Sequence, residues 1–415
     1  MIGYRVLLKK FITSLFLVFV VLFLSFLFYG QLYGEPGPEI TAESALVMEA
    51  ETGKILWEKN SYRRMYPAST TKMLTAIIAI ETVGDLSQVA EISENADGRN
   101  HSAFTFKRGD KVSVLDLLKA ALICSHNNAT IALAEHISGS EEEFVKVMNK
   151  KAKEIGANNT YFQNTNGLDS VYPLHMSTAK DLAVIAKYCL NNPLFSQIVD
   201  TDQDTITVSG REIEIKNTND LLQFDYIKGI KTGFTARAGF CIVTYSDSDR
   251  LDLITVILNS TRESREEDAI SLIEYVNQNY NFEQIVDHKL KIDTVSAGGL
   301  SQANIDVYPS QDYHEFINTA EDKVDFQYSI EEQIELPVQK NQDLGRLSVY
   351  INDQMVREVS LVSNESVEKP VVEQNLNPAN QQRDKKIMIF ALGFYFFIFI
   401  FIIIKNLFFK TKFYV

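Results

Sequence analysis

Ser69 and Lys72 stand one helical turn apart in Pro67-Ala68-Ser69-Thr70-Thr71-Lys72, directly ahead of an apolar run through Met73, Leu74, Ala76, Ile77 and Ile80. At that spacing both side chains share one face of a helix. A serine hydroxyl is a weak nucleophile until a base takes its proton. A lysine one turn away can be that base, because burial lowers its pKa. The serine also sits among the unpaired N–H groups of a helix start, which favour developing negative charge. The chemistry on offer is attack by an activated hydroxyl.

Two more fragments extend it. Ser125-His126-Asn127 falls in the break between two helical stretches. Ser125 suits a proton relay, and Asn127 offers a paired donor and acceptor to a substrate amide. Lys231-Thr232-Gly233 comes just before strand-forming residues. Its lysine and hydroxyl suit a carboxylate, and its glycine lets another chain approach the backbone closely. Taken singly, each fragment is commonplace. Ser-x-x-Lys recurs at Ser177/Lys180 and Ser366/Lys369, and Ser93-Glu94-Asn95 repeats the second spacing with no long apolar helix leading into it. In the order helix start, interhelix turn and strand, however, the three match the Ser-x-x-Lys, Ser-x-Asn-type and Lys-Thr-Gly set of β-lactamases and penicillin-binding proteins.

The elements that must position these residues are legible in outline. Residues 44–59 read as a hairpin turning at Glu51-Thr52-Gly53. Helical periodicity covers about 70–83, 113–124, 128–138, 141–155, 178–191 and 266–279. Two apolar strands run Phe240–Tyr245 and Leu251–Leu258. This order predicts an α/β catalytic domain over 44–283 whose sheet is built from both ends of that segment. Beyond it, short alternating stretches such as Ala303–Tyr308 and Arg346–Ile351 predict a small all-β domain over 284–365, with no residue cluster that suggests catalysis. Residues 366–386, polar and containing Pro370 and Pro378, read as a linker.

Both ends of the chain are apolar. Phe11–Tyr29 follows Arg5, Lys9 and Lys10, so residues 1–30 read as a signal or signal-anchor segment, with a short linker over 31–43. Residues 387–404 read as a transmembrane helix and 405–415 as a short basic tail. Each apolar run approaches the roughly 20 residues that a bilayer span needs. Lys405, Lys410 and Lys412 on one flank are offset by Arg383, Lys385 and Lys386 on the other, and the charged N-terminal segment, if it stays inside, leaves the body outside the cytoplasmic membrane. The net charge of −14 argues against a nucleic-acid partner, because phosphate binding rests on lysine and arginine. Cys124, Cys189 and Cys241 show no metal-ligand spacing and read as buried free thiols.

Over most of residues 40–365 the chain resembles the low-molecular-mass penicillin-binding proteins, the serine D-alanyl-D-alanine carboxypeptidases. The likeness rests on the three fragments, on Glu51-Thr52-Gly53 and on Asn166-Gly167-Leu168. It continues in His175-Met176-Ser177-Thr178-Ala179-Lys180-Asp181-Leu182-Ala183 and in Gly229 through Phe240. It implies a penicillin-binding/serine β-lactamase-like transpeptidase fold followed by a small C-terminal all-β domain and a membrane anchor. It implies a bacterial membrane enzyme that removes the terminal D-alanine from peptidoglycan stem peptides without metal or cofactor, and that β-lactams inhibit. Ser69 would form the acyl-enzyme, Lys72 would be its base, and Ser125 would protonate the leaving D-alanine. Asn127 would position the peptide, and Lys231, Thr232 and Gly233 would lie near the terminal carboxylate. The backbone N–H groups of Ser69 and Phe234 would form an oxyanion hole.

Some points depart from the family's pattern or stay open. His126 occupies a place where relatives often carry glycine, so a titratable ring there could alter pH dependence. Arg262 and Arg265 both qualify as a carboxylate-binding arginine. A β-lactamase, a D,D-endopeptidase and a non-catalytic wall scaffold are the alternatives on the same fold. No glutamate placed to drive fast deacylation is identified, and the intact Ser69, Lys72, Ser125, Asn127 and Lys231 oppose the scaffold.

Overall fold

In the computed structural model, residues 37–97, 104–248, 250–298, 303–369 and 378–409 are described. Every residue of β1 (Ser44–Glu49) is buried. Alternation explains why: Leu46 and Met48 face one apolar core, and Ala45 and Val47 face another. The chain turns back through β2 (Ile55–Lys59), which is the expected hairpin. It then enters α1 (Lys72–Thr82) through a 3-10 turn over Ala68–Thr71. Helix α1 is buried on nearly every side, at Met73, Leu74, Ala76, Ile77, Ile78 and Ala79, as befits a helix without a polar face.

Short strands β3 (Val89–Glu91) and β4 (Lys111–Ser113) precede a group of helices. These are α2 (Val114–Leu122), α3 (Asn127–Ser138), α4 (Glu141–Glu154), α5 (Ala179–Leu190) and α6 (Pro193–Val199). Side-chain caps define several starts. Ser113 accepts from Asp116 N–H at 3.0 Å, Ser140 from Glu143 N–H at 3.2 Å and Thr178 from Asp181 N–H at 3.0 Å. A hairpin of β5 (Gln203–Val208) and β6 (Arg211–Lys216) joins β3 and β4 in a small four-stranded sheet.

Strands β7 (Ile227–Thr235), β8 (Gly239–Ser246) and β9 (Leu253–Ser260) then complete the main sheet, in the order β2-β1-β9-β8-β7. The sheet is therefore assembled from both ends of the segment, as expected. Lys231-Thr232-Gly233 precedes the expected Phe240–Tyr245 strand, now β8, and itself lies within β7, paired to Val243, Ile242 and Cys241. Helix α7 (Arg265–Asn279) covers the second face through Ala269, Leu272, Ile273 and Val276. Asp268 on α7 anchors the N-terminal approach by accepting from the N–H groups of Thr41 and Ala42 at 2.9 and 3.0 Å, and from the Ser260 hydroxyl at 2.6 Å.

By contact the chain divides into two units. The first holds residues up to Glu283 together with Phe316–Asp322, and the second holds Gln284–Glu315 and Lys323 onward. After β10 (Tyr280–Val286) come β11 (Asp293–Ala297), β12 (Ala303–Pro309), β13 (Tyr313–Asn318), β14 (Val324–Ile330), β15 (Asp343–Ile351) and β16 (Gln354–Ser363). The second unit has a five-stranded sheet, β11-β12-β16-β15-β14, around Ile305, Val307, Leu347, Val349 and Leu361. Its last element is the 32-residue helix α8 (Pro378–Phe409), whose side chains are described in part. Among the described residues no helix is long and apolar enough to cross a membrane. The expected N-terminal span lies outside the described residues.

Candidate active site

The turn into α1 presents Ser69 under constraint. Ala68 has φ of +49°, a left-handed conformation that an L-residue with a Cβ resists by about 1–2 kcal/mol. Neighbouring backbone holds it there. A Cβ on Gly167 would lie 1.7 Å from the Ala68 carbonyl oxygen, and one on Gly233 would lie 2.9 Å from Ala68 Cβ and 2.8 Å from Ser69 N. Only glycine fits at either point. The Asn166-Gly167 loop and strand β7 therefore clamp the serine from two sides.

Lys72 is wholly buried. Its Nζ lies 2.7 Å from Ser69 Oγ, 2.8 Å from Asn127 Oδ1 and 2.8 Å from the Asn166 carbonyl oxygen. Two of these partners can only accept. A neutral amine has two hydrogens for those two oxygens, and its lone pair is then left facing the Ser69 hydroxyl. Burial holds Lys72 well below the usual lysine range, and the charge of Lys231 pushes the same way.

Ser125 lies in the turn between α2 and α3 with φ of +59°, again left-handed. The turn is fixed by His126 N–H donating to the Ala120 carbonyl at 2.9 Å. Ser125 is flanked by groups that face the lysines. Asn127 binds Lys72, and the Cys124 thiol lies near enough to Lys231 and Lys72 to feel both charges. Cys124 is only half-buried and borders the site, unlike the fully buried Cys189 and Cys241. Burial pushes its thiol up to about 11, so it stays protonated at neutral pH.

Lys231 points inward from β7 and is also buried. It donates to the Thr232 carbonyl at 3.1 Å and lies 3.5 Å from Thr218 Oγ1, which is 2.6 Å from Thr232 Oγ1. Burial lowers its pKa to about 7, with Arg265 adding to the shift and Cys124 opposing it. Phe234, next along the strand, is 55% exposed and its ring lies 4.3 Å from that of Phe240. Ser69, Lys72 and Asn127 are thus joined by hydrogen bonds, Gly233 packs against Ser69, the Ser125 turn is tied in through Asn127, and Lys231 lies close enough to Lys72 to lower its pKa.

The two open arginines separate. Arg265 is largely buried, lies over the Phe240 ring and pairs with Glu266, and its charge reaches Lys231. Arg262 is exposed. His126 turns away from chemistry. It is buried between Phe104 and Phe106, with ring centroids 4.5 and 4.4 Å away, and Nε2 lies 3.1 Å from the Phe104 carbonyl. Burial lowers its pKa to about 4, which speaks against an altered pH dependence near neutrality. Thr218 was not legible in the sequence, because nothing in Asn217-Thr218-Asn219 distinguishes it from an ordinary turn.

Residues 32–262 match the family described as D-alanyl-D-alanine carboxypeptidase, and residues 280–369 match the C-terminal domain of penicillin-binding protein 5. The chain is 32% identical to the D-alanyl-D-alanine carboxypeptidase DacF of Bacillus subtilis, over 79% of this chain and 86% of that protein. It is 29% identical to DacD of Escherichia coli, over 80% of this chain and 88% of that protein. The crystal structure of DacD from Francisella tularensis superposes with a TM-score of 0.65 at 25% identity, covering 81% of this chain and 96% of that one. The resemblance read from the motifs is borne out, as is the transpeptidase-type fold with its all-β C-terminal domain. A serine held against a buried lysine, on a fold and over a length shared with these proteins, makes this chain a member of the D-alanyl-D-alanine carboxypeptidase family.

Proposed function

We propose that the chain cleaves the bond between the two terminal D-alanines of peptidoglycan stem peptides, with Ser69 as nucleophile. One observation carries the reading: Nζ of the buried Lys72 lies 2.7 Å from Ser69 Oγ, and burial favours its neutral form. The Ser69 proton passes to Lys72 Nζ as Oγ attacks the carbonyl carbon. The oxyanion is received by the N–H groups of Ser69 and Phe234, each such donor lowering the barrier by about 3–4 kcal/mol. The C–N bond breaks and the leaving amine takes a proton through Ser125, which Lys231 keeps in a positive field. Asn127 orients the peptide amide. Lys231 and Thr232 receive the terminal carboxylate. Water then attacks the acyl-enzyme, with Lys72 again accepting a proton, and Ser69 is regenerated. A β-lactam presents the same amide in a ring and leaves Ser69 acylated.

The body is held outside the bacterial membrane by its apolar ends. What supports this reading in α8 is that Phe390, Tyr395 and Phe397 are 83%, 72% and 77% exposed, an aromatic surface that suits lipid better than water. Expression without residues 366–415 and without the first 30 should release active protein from membranes.

Mass spectrometry after treatment with a labelled penicillin tests the chemistry. The adduct is expected on Ser69, and Ser69→Ala should abolish both the adduct and release of free D-alanine. An adduct elsewhere, or D-alanine release that survives in Ser69→Ala, would refute the assignment.

A further inference from the structure

His175 lies outside the catalytic set, yet it is fully buried beside the nucleophile turn. Its Nδ1 lies 3.0 Å from the backbone N of Gln163, and its Nε2 lies 2.9 Å from Thr71 Oγ1. Thr71 Oγ1 in turn lies 2.9 Å from the Ala68 carbonyl oxygen. The hydrogens of this chain can be assigned without ambiguity. A backbone N–H can only donate, so Nδ1 accepts and carries no proton. The single ring proton is then on Nε2 and is donated to Thr71. The hydroxyl has one hydrogen, which goes to the Ala68 carbonyl, the only partner here that must accept. Burial drives the ring pKa down to about 3, which keeps the neutral form throughout the working range. The ring is braced by Phe162, 5.1 Å away and tilted by 31°.

We propose that His175 is a positioning residue for the acyl-transfer reaction, acting through Thr71 to lock the left-handed Ala68 peptide and so to aim the hydroxyl and N–H of Ser69. This rests on the reading of Ser69 as nucleophile. The physical need is specific. Ala68 sits at φ of +49°, and a strained conformation persists only where its surroundings over-determine it. Gly167 and Gly233 restrain Ala68 by contact, while the relay fixes its carbonyl by direction. Thr71, like His175, is fully buried, so water does not substitute for either bond. Releasing the carbonyl frees that peptide unit, whose other half is the Ser69 N–H, to rotate, which turns the N–H away from the position where the oxyanion forms.

The test compares paired variants of the full chain. Thr71→Val keeps the shape and deletes the hydroxyl, whereas Thr71→Ser restores it. His175→Phe keeps the ring packing and deletes both bonds, whereas His175→Gln returns a donor to Thr71. Acylation by a labelled penicillin is resolved, from its concentration dependence, into a binding constant and a maximal acylation rate, alongside the thermal midpoint. Thr71→Val and His175→Phe should lower the maximal rate about tenfold or more with binding nearly unchanged, as for a small misplacement of a reacting group. Thr71→Ser and His175→Gln should recover most of that rate. A folded Thr71→Val acylated at the wild-type rate would overturn the proposal. So would a rate in Thr71→Ser as low as that in Thr71→Val. If His175→Phe does not fold, the two Thr71 variants decide. Wild-type protein that carries no adduct on Ser69 would instead refute the parent reading.

Discussion

Gly233 passes so close to Ser69 that a side chain on it would come within 2.8 Å of the serine's backbone nitrogen. The glycine of the third fragment is therefore a contact residue of the nucleophile turn, and strand β7 and the turn into α1 form one wall of the site. Glycine at Gly167 does the same from the opposite side.

Alanine at these two positions should behave differently. At Gly233 the new Cβ would come within 2.8 Å of Ser69 N and 2.9 Å of Ala68 Cβ, so the turn itself must shift, and Gly233→Ala should fold with a loss of about 1–3 kcal/mol and a greatly reduced acylation rate. At Gly167 the new Cβ would lie 1.7 Å from a backbone carbonyl, and φ is already +91°. Gly167→Ala should therefore be the more damaging to folding. Chemical denaturation of both, with penicillin labelling of whatever folds, checks the order.

Lys72→Arg puts a permanent positive charge in place of the amine and cannot accept the Ser69 proton, because a guanidinium does not give up its own. Loss of a general base costs about 10²–10⁴-fold in rate. Acylation should fall by that much, whereas an arginine that merely holds a charge near Ser69 would leave it intact. Stopped-flow acylation measures the difference.

Lys231 sits at about pKa 7 when its site is empty of substrate. A bound carboxylate favours the ammonium form, so ligand binding near pH 8 should take up a proton and weaken as pH rises above 7. Calorimetry of Ser69→Ala with a D-alanyl-D-alanine peptide, in buffers of different ionisation enthalpy, reads this directly. The stability sign follows from the same shift. The folded pKa is depressed from 10.5, so between 7 and 10.5 the unfolded chain holds the extra proton and the burial penalty fades as pH rises. Lys231→Met should therefore stabilise most below pH 7 and least near 10.5. A pH-independent gain in thermal midpoint would contradict it.

Asp268 satisfies two backbone donors and one hydroxyl. Deleting it leaves buried donors without a partner, at about 1–3 kcal/mol each. Asp268→Ala should lower stability by several kcal/mol, mostly through the loosening of residues 41–42, and urea unfolding would reveal it.

Much of this was readable beforehand, for physical reasons. Helices α1 to α5 and α7 announce themselves by apolar periodicity. The β5–β6 hairpin was missed because charged and polar residues occupy its open face, leaving Ile206, Val208 and Ile215 to point inward. Ser69, Lys72, Asn127 and Lys231 were visible as spaced types. What spacing does not carry is direction. His126 looked like a titrating loop residue and is packed between two phenylalanines. His175 looked like one letter in a longer match, and it is the residue that reaches the nucleophile turn through Thr71.

The segment Phe316–Asp322 lies inside the later β-rich stretch of sequence and yet belongs to the first unit. Phe316 joins the core beneath α7, the Asn318 amide donates to the Tyr275 hydroxyl at 3.0 Å, and Thr319 N–H donates to the Asn279 carbonyl at 2.8 Å. The polypeptide thus passes from one unit to the other three times. A protein cut off after Glu283 is missing a piece of its own interior, and a catalytic fragment meant to stand alone must carry those seven residues with it, grafted on by a short artificial connection.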